Sequence, residues 1–177
     1  MSNKFSYYYF LIAFLLLFST LQITAQTSYE ISYDAKEPSV KILKGIISKS
    51  LIDNDTSFNW YNPSQINYTP DSSIVNAFVR FKDSIQFVIF GGTWCEDTQF
   101  ILPKFFKIQE QSGIADDQIT FFGVDHKKKT LGNIADAFHI TNVPTIIVMK
   151  DGKELGRVVE YGTTGKWDTE LADILTK

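Results

Sequence analysis

One cysteine in 177 residues is the scarcest reactive feature of this chain. A single thiol excludes an internal disulfide and a cysteine-based zinc site. The two histidines, His126 and His139, leave no ligand-pair spacing, so neither a metal nor a cofactor is expected. Excess charge is lacking too. The 17 Lys+Arg against 20 Asp+Glu leave a formal −3, which gives no electrostatic reason for a nucleic-acid partner. Five prolines and ten glycines are too few for a collagen-like or low-complexity chain. What is present is 44% hydrophobic and 15% aromatic, the composition of a globular protein.

Residues 1–25 read as a signal peptide rather than as fold. Lys4 is the only charge before Glu30. An apolar stretch of about 14 residues follows it, shorter than the roughly 20 that a membrane span prefers. Ala25 offers a small-residue exit before Gln26. The expectation is an exported protein of the periplasm or cell envelope. A retained N-terminal anchor is the alternative, and only then would a membrane be a partner. Cleavage leaves about 150 residues, enough for one domain with its own core. An exported domain usually carries paired cysteines, so the lone Cys95 calls for an explanation.

Beyond Gln26 the pattern predicts an N-terminal helical extension over residues 26–70. Residues 27–34 read as a flexible lead-in. Val40, Ile42, Leu43, Ile46, Ile47, Leu51 and Ile52 recur at helical spacing, which predicts an amphipathic helix over 38–53. Residues 56–71 read as irregular, with one short strand near Gln65–Tyr68. Trp60, Tyr61 and Tyr68 there are expected to pack rather than to bind.

Residues 71–177 alternate differently. A helix is expected over 71–82, a doubly buried strand over 85–90 and a helix over 96–111 interrupted by Pro103. A strand over 119–124 and a short helix over 133–138 follow. Two strands over 144–149 and 154–159 are joined by Asp151-Gly152, a two-residue hairpin signal. A terminal helix spans 164–175. The order α, β, α, β, α, β, β, α implies an α/β sandwich with a mixed sheet and helices on both faces.

The chemistry gathers in Phe87-Val-Ile-Phe-Gly-Gly-Thr-Trp-Cys-Glu-Asp-Thr98. Cys95 lies between the end of a buried strand and the start of a helix. Carboxyl ends of parallel strands are where α/β proteins place their sites. A helix start presents free N–H groups that favour a thiolate, while Glu96 and Asp97 beside the thiol oppose its ionisation. His126, followed by Lys127-Lys128-Lys129, reads as a solvated loop. His139 reads as the close of the short helix, near its C-terminus.

These residues resemble the thioredoxin-fold family. Trp94-Cys95 matches the start of its Trp-Cys-x-x-Cys motif. Pro103 falls where such domains carry a kinking proline, and Val143-Pro144-Thr145 is similar to the family's cis-proline loop. The general look is that of exported thioredoxin-like proteins of bacterial envelopes. The resemblance implies Cys95 as catalytic thiol and Trp94, Val143, Pro144 and Thr145 as the substrate-binding frame. Partners would be protein or small-molecule thiols and disulfides. Thr98 stands where the family has its second, resolving cysteine. Ile89 and Phe121 stand where it often has a buried acid and its lysine partner.

Two functions fit. The first is a thiol-disulfide oxidoreductase working through Cys95 alone, with an external thiol completing the cycle. The second is a degenerate binding module that captures a partner protein or thiol. An odd cysteine in an exported protein can also pair between chains, giving a Cys95-linked dimer.

Overall fold

The computed structural model describes residues 28–176; the expected signal peptide, 1–25, lies outside the described residues. Six strands make one sheet in the order β1-β2-β4-β3-β5-β6. They are β1 (Tyr29–Tyr33), β2 (Lys41–Ile47), β3 (Gln86–Gly91), β4 (Ile119–Gly123), β5 (Thr145–Lys150) and β6 (Lys153–Val159). Among the described residues β3 and β4 make the one parallel pair, and the other four pairings are antiparallel. The helices are α1 (Lys49–Asp53), α2 (Tyr61–Ile66), α3 (Ser72–Phe81), α4 (Glu96–Ser112), α5 (Ile134–Ala137) and α6 (Trp167–Leu175).

Alternation along the strands divides the core in two. Phe87, Ile89, Phe121, Ile146 and Val148 point into the larger cluster with Phe78 of α3, Phe105 of α4 and Leu171 of α6. Phe78 stacks on Phe87 with ring centroids 5.6 Å apart, and Phe105 meets Phe87 edge-on at 5.1 Å. Phe90, Phe122 and Ile147 point the other way, into a smaller cluster that Ala135 of α5 closes. Helices therefore lie on both faces of the mixed sheet. The elements expected over 71–177 form close to their expected bounds. Asp71 caps α3, its side chain accepting the Ser73 N–H.

The N-terminal reading needs correction. The lead-in forms β1, and the expected helix over 38–53 is a strand followed by the short α1. Gly45 explains the difference. Its φ of +127° is open to glycine but not to a helix, and a Cβ there would meet the Ser28 carbonyl oxygen at 2.4 Å. Ile42, Leu43 and Ile47 are buried as a strand buries them, while Ile46 is exposed. Ser48 then restarts the chain as helix by accepting the Leu51 N–H. The extension is thus a β-hairpin plus two short helices. The strand expected near 65–68 is also replaced: Thr56–Phe58 is a 3-10 turn and residues 61–66 are α2. Pro63 fits in the first turn of α2, where its missing N–H would have no partner. The aromatics pack as expected, with Tyr61 against Phe106 and Tyr68 against Trp167.

Candidate functional site

The site begins where β3 ends. Gly91 and Gly92 are buried, the chain turns, and the Cys95 N–H donates to the Gly92 carbonyl at 2.9 Å. Cys95 is the residue immediately before α4, in extended conformation, and its carbonyl accepts the first helical bond from the Gln99 N–H at 3.0 Å. The thiol is half-buried and donates to the Val143 carbonyl at 3.3 Å. Val143 opens β5 through a cis peptide bond to Pro144. The structure therefore joins the two motifs that the sequence separates.

The Val143-Pro144-Thr145 segment is braced from behind. Thr145 donates its hydroxyl to the Asn142 carbonyl at 2.7 Å, and the Pro144 carbonyl accepts the Glu160 N–H at 2.7 Å. Val143, Pro144 and Thr145 are all buried. Trp94 is half-buried beside Cys95, its indole N–H donating to the Val124 carbonyl at 3.0 Å. Tyr161 packs on Phe100 of α4, with ring centroids 5.7 Å apart. Burial, then its hydrogen bond to Asp97 and the nearby Cys95 and Glu96, push its hydroxyl pKa up.

Thr98 is fully buried one turn into α4, where its hydroxyl accepts the Gly92 N–H at 3.3 Å. It braces the turn that carries Cys95. Ile89 and Phe121 face each other in register across β3 and β4, both buried. An apolar pair thus occupies the two positions where the resemblance implies a buried acid and its lysine partner. Among the described residues no group of His, Cys, Asp and Glu could hold a metal ion.

The sequence gives no sign of the contacts that Thr93 and His126 make. Thr93 is buried, accepting the Leu43 N–H at 3.2 Å and donating to the Lys41 carbonyl at 2.8 Å. His126 is exposed, but its ring rests on Trp94 with centroids 4.1 Å apart, and its Nε2 meets the Asp34 carboxylate at 2.5 Å. It is more than the solvated loop residue expected from its lysine neighbours. His139 occupies a left-handed position just after α5.

The family model named Thioredoxin matches residues 67–176. The chain belongs to the thioredoxin family. Among thioredoxin relatives, thioredoxin-1 of Saccharomyces cerevisiae is 33% identical over 78 residues, spanning 44% of this chain and 70% of that protein. The thioredoxin of Listeria monocytogenes is 31% identical over 88 residues, 50% of this chain and 77% of that one. A solved protein of unknown function from Pseudomonas aeruginosa shares the fold, with a TM-score of 0.50 at 16% identity over 73% of this chain and 89% of its own. The thioredoxin match starts after the β1–β2 hairpin, which lies outside it.

Proposed function

We propose that this protein is a thiol-disulfide oxidoreductase of the cell envelope that works through one thiol, Cys95. One observation carries the reading. The half-buried Cys95 thiol at the start of α4 lies 3.3 Å from the Val143 carbonyl, beside Trp94. In the reaction the Cys95 sulfur bonds to one sulfur of a partner disulfide. The partner's S–S bond breaks, and its second sulfur leaves and takes up the proton that Cys95 gives up. Val143, Pro144 and Thr145 hold the partner chain in extended form by strand addition. Forming the adduct removes the Cys95 hydrogen and frees the Val143 carbonyl to accept from the partner. An external thiol then attacks the mixed disulfide and restores Cys95.

Thr98 shapes the kinetics. A hydroxyl cannot resolve a mixed disulfide, so the adduct lasts until that external thiol arrives. Residues 1–25, with their lone Lys4 and apolar middle, support export of residues 26–177. The thioredoxin-like domain then runs over 71–177. The names of the relatives support a thiol-disulfide role, and the family model's match over 67–176 includes Cys95.

The test is incubation of the folded protein with oxidised glutathione, followed by intact mass. One glutathione adduct on wild type and none on Cys95→Ser supports the proposal. An unreactive Cys95 in the folded protein overturns it and favours a module that binds without covalent chemistry.

A further inference from the structure

We infer that the β1–β2 hairpin is a working part of the thiol site, with Thr93 and His126 as positioning residues for the Trp94-Cys95 turn. This rests on the reading of Cys95 as the reacting group.

The first link is a side chain standing in for a strand. β2 pairs with β4 only over Gly45–Ile47. Upstream of that, the Leu43 N–H and the Lys41 carbonyl both bond to the hydroxyl of Thr93. Thr93 is 2% exposed, so this hydroxyl has little water to turn to. Gly123 makes the approach feasible, because a Cβ there would lie 2.3 Å from the Leu43 carbonyl oxygen. Two bonds from the hairpin thus fix the residue two places before Cys95.

The second link runs through the turn between β1 and β2. One oxygen of Asp34 accepts the Lys36 and Glu37 N–H groups at 2.6 and 2.9 Å, which fixes the carboxylate. Its other oxygen meets His126 at 2.5 Å, and His126 lies on the Trp94 ring. Lys128 also reaches that ring, its ammonium 5.4 Å from the centroid. Asp125, next to His126, is paired with Lys44 of β2 at 3.1 Å. The charged groups around His126 are therefore Asp34 and Lys44 from the hairpin side, and Asp125 and Lys128 from its own loop. The imidazole packs on the Trp94 ring while its Nε2 is held by Asp34, so the hairpin turn sets where the indole lies.

The test uses Thr93→Val, Thr93→Ser, His126→Gln and Asp34→Asn. Two readouts are followed at neutral pH: the Trp94 indole N–H resonance by NMR, and the rate of Cys95 alkylation by iodoacetamide. His126→Gln and Asp34→Asn should each move the Trp94 resonance from its wild-type position. Thr93→Val removes both bonds and should change the alkylation rate by at least about fivefold, the worth of one net hydrogen bond, and Thr93→Ser should restore it. The surface variants at 34 and 126 leave the core untouched, so they test the second link even if Thr93→Val fails to fold. A Trp94 resonance that ignores both surface variants, with alkylation rates equal to wild type, overturns the inference. A wild-type Cys95 inert to oxidised glutathione overturns the proposed function instead, and the Trp94 resonance still reports on the hairpin.

Discussion

Cys95 and Val143 meet across the site, the thiol of one donating to the backbone carbonyl of the other at 3.3 Å. The contact joins the start of α4 to the start of β5. A thiol is a weak donor, so its contribution to stability sits at the low end of the usual range. Cys95→Ala should therefore keep the fold, with urea unfolding within about 1 kcal/mol of wild type, while losing every disulfide adduct. A much larger loss would mean that Cys95 is a core residue rather than a reactive one.

Thr98→Cys should supply the missing resolving group. Positions 95 and 98 are three apart at the start of α4, the spacing that brings side chains together on a helix. The new thiolate would attack the Cys95 sulfur of a glutathione adduct, forming a 95–98 disulfide and expelling glutathione. Intact mass should show release without added thiol. An adduct as persistent as that of wild type would refute this geometry. The substitution also removes the hydroxyl that accepts the Gly92 N–H, which should cost about 1 kcal/mol.

Phe87 is the centre of the larger core, held between Phe78 and Phe105. Phe87→Ala should lower unfolding stability by about 3–5 kcal/mol, the cost of a large aromatic cavity. A urea titration gives the number, and a loss below about 1 kcal/mol would contradict the packing.

Acid should loosen the loop before α6. The Glu170 carboxylate accepts the N–H and hydroxyl groups of Thr163 and Thr164, at 2.6 to 3.1 Å. The Thr164 hydroxyl first, then the two backbone N–H groups, hold its pKa down to about 2 from 4.5. A lowered carboxylate pKa means stability that is present above pH 4.5 and is lost as pH falls toward 2. Glu170→Gln should be less stable at pH 7 and should show a shallower decline across that window. Parallel pH profiles for the two proteins would contradict this.

The strands and helices beyond residue 71 were legible because their signals are local. Ile85 to Phe90 is a continuous apolar run, Asp151-Gly152 marks a hairpin, and Trp94-Cys95 and Val143-Pro144 sit at strand ends. The N-terminal part was not legible. Ile42, Leu43, Ile46 and Ile47 satisfy helical spacing by coincidence, and the strand carries a break at Gly45 that disguises its alternation. Gly45 amid isoleucines was the available signal against a helix. The roles of Thr93 and His126 could not be found, because their partners lie 50 and 92 residues away. No spacing rule reaches that far.

The most direct measurement is the reaction of folded wild-type protein with oxidised glutathione at neutral pH, followed by intact mass before and after adding a small external thiol. One adduct that forms on Cys95, persists, and leaves only when the external thiol is added is the expected result. A Cys95 that reacts only after denaturation would contradict a single-thiol exchange site.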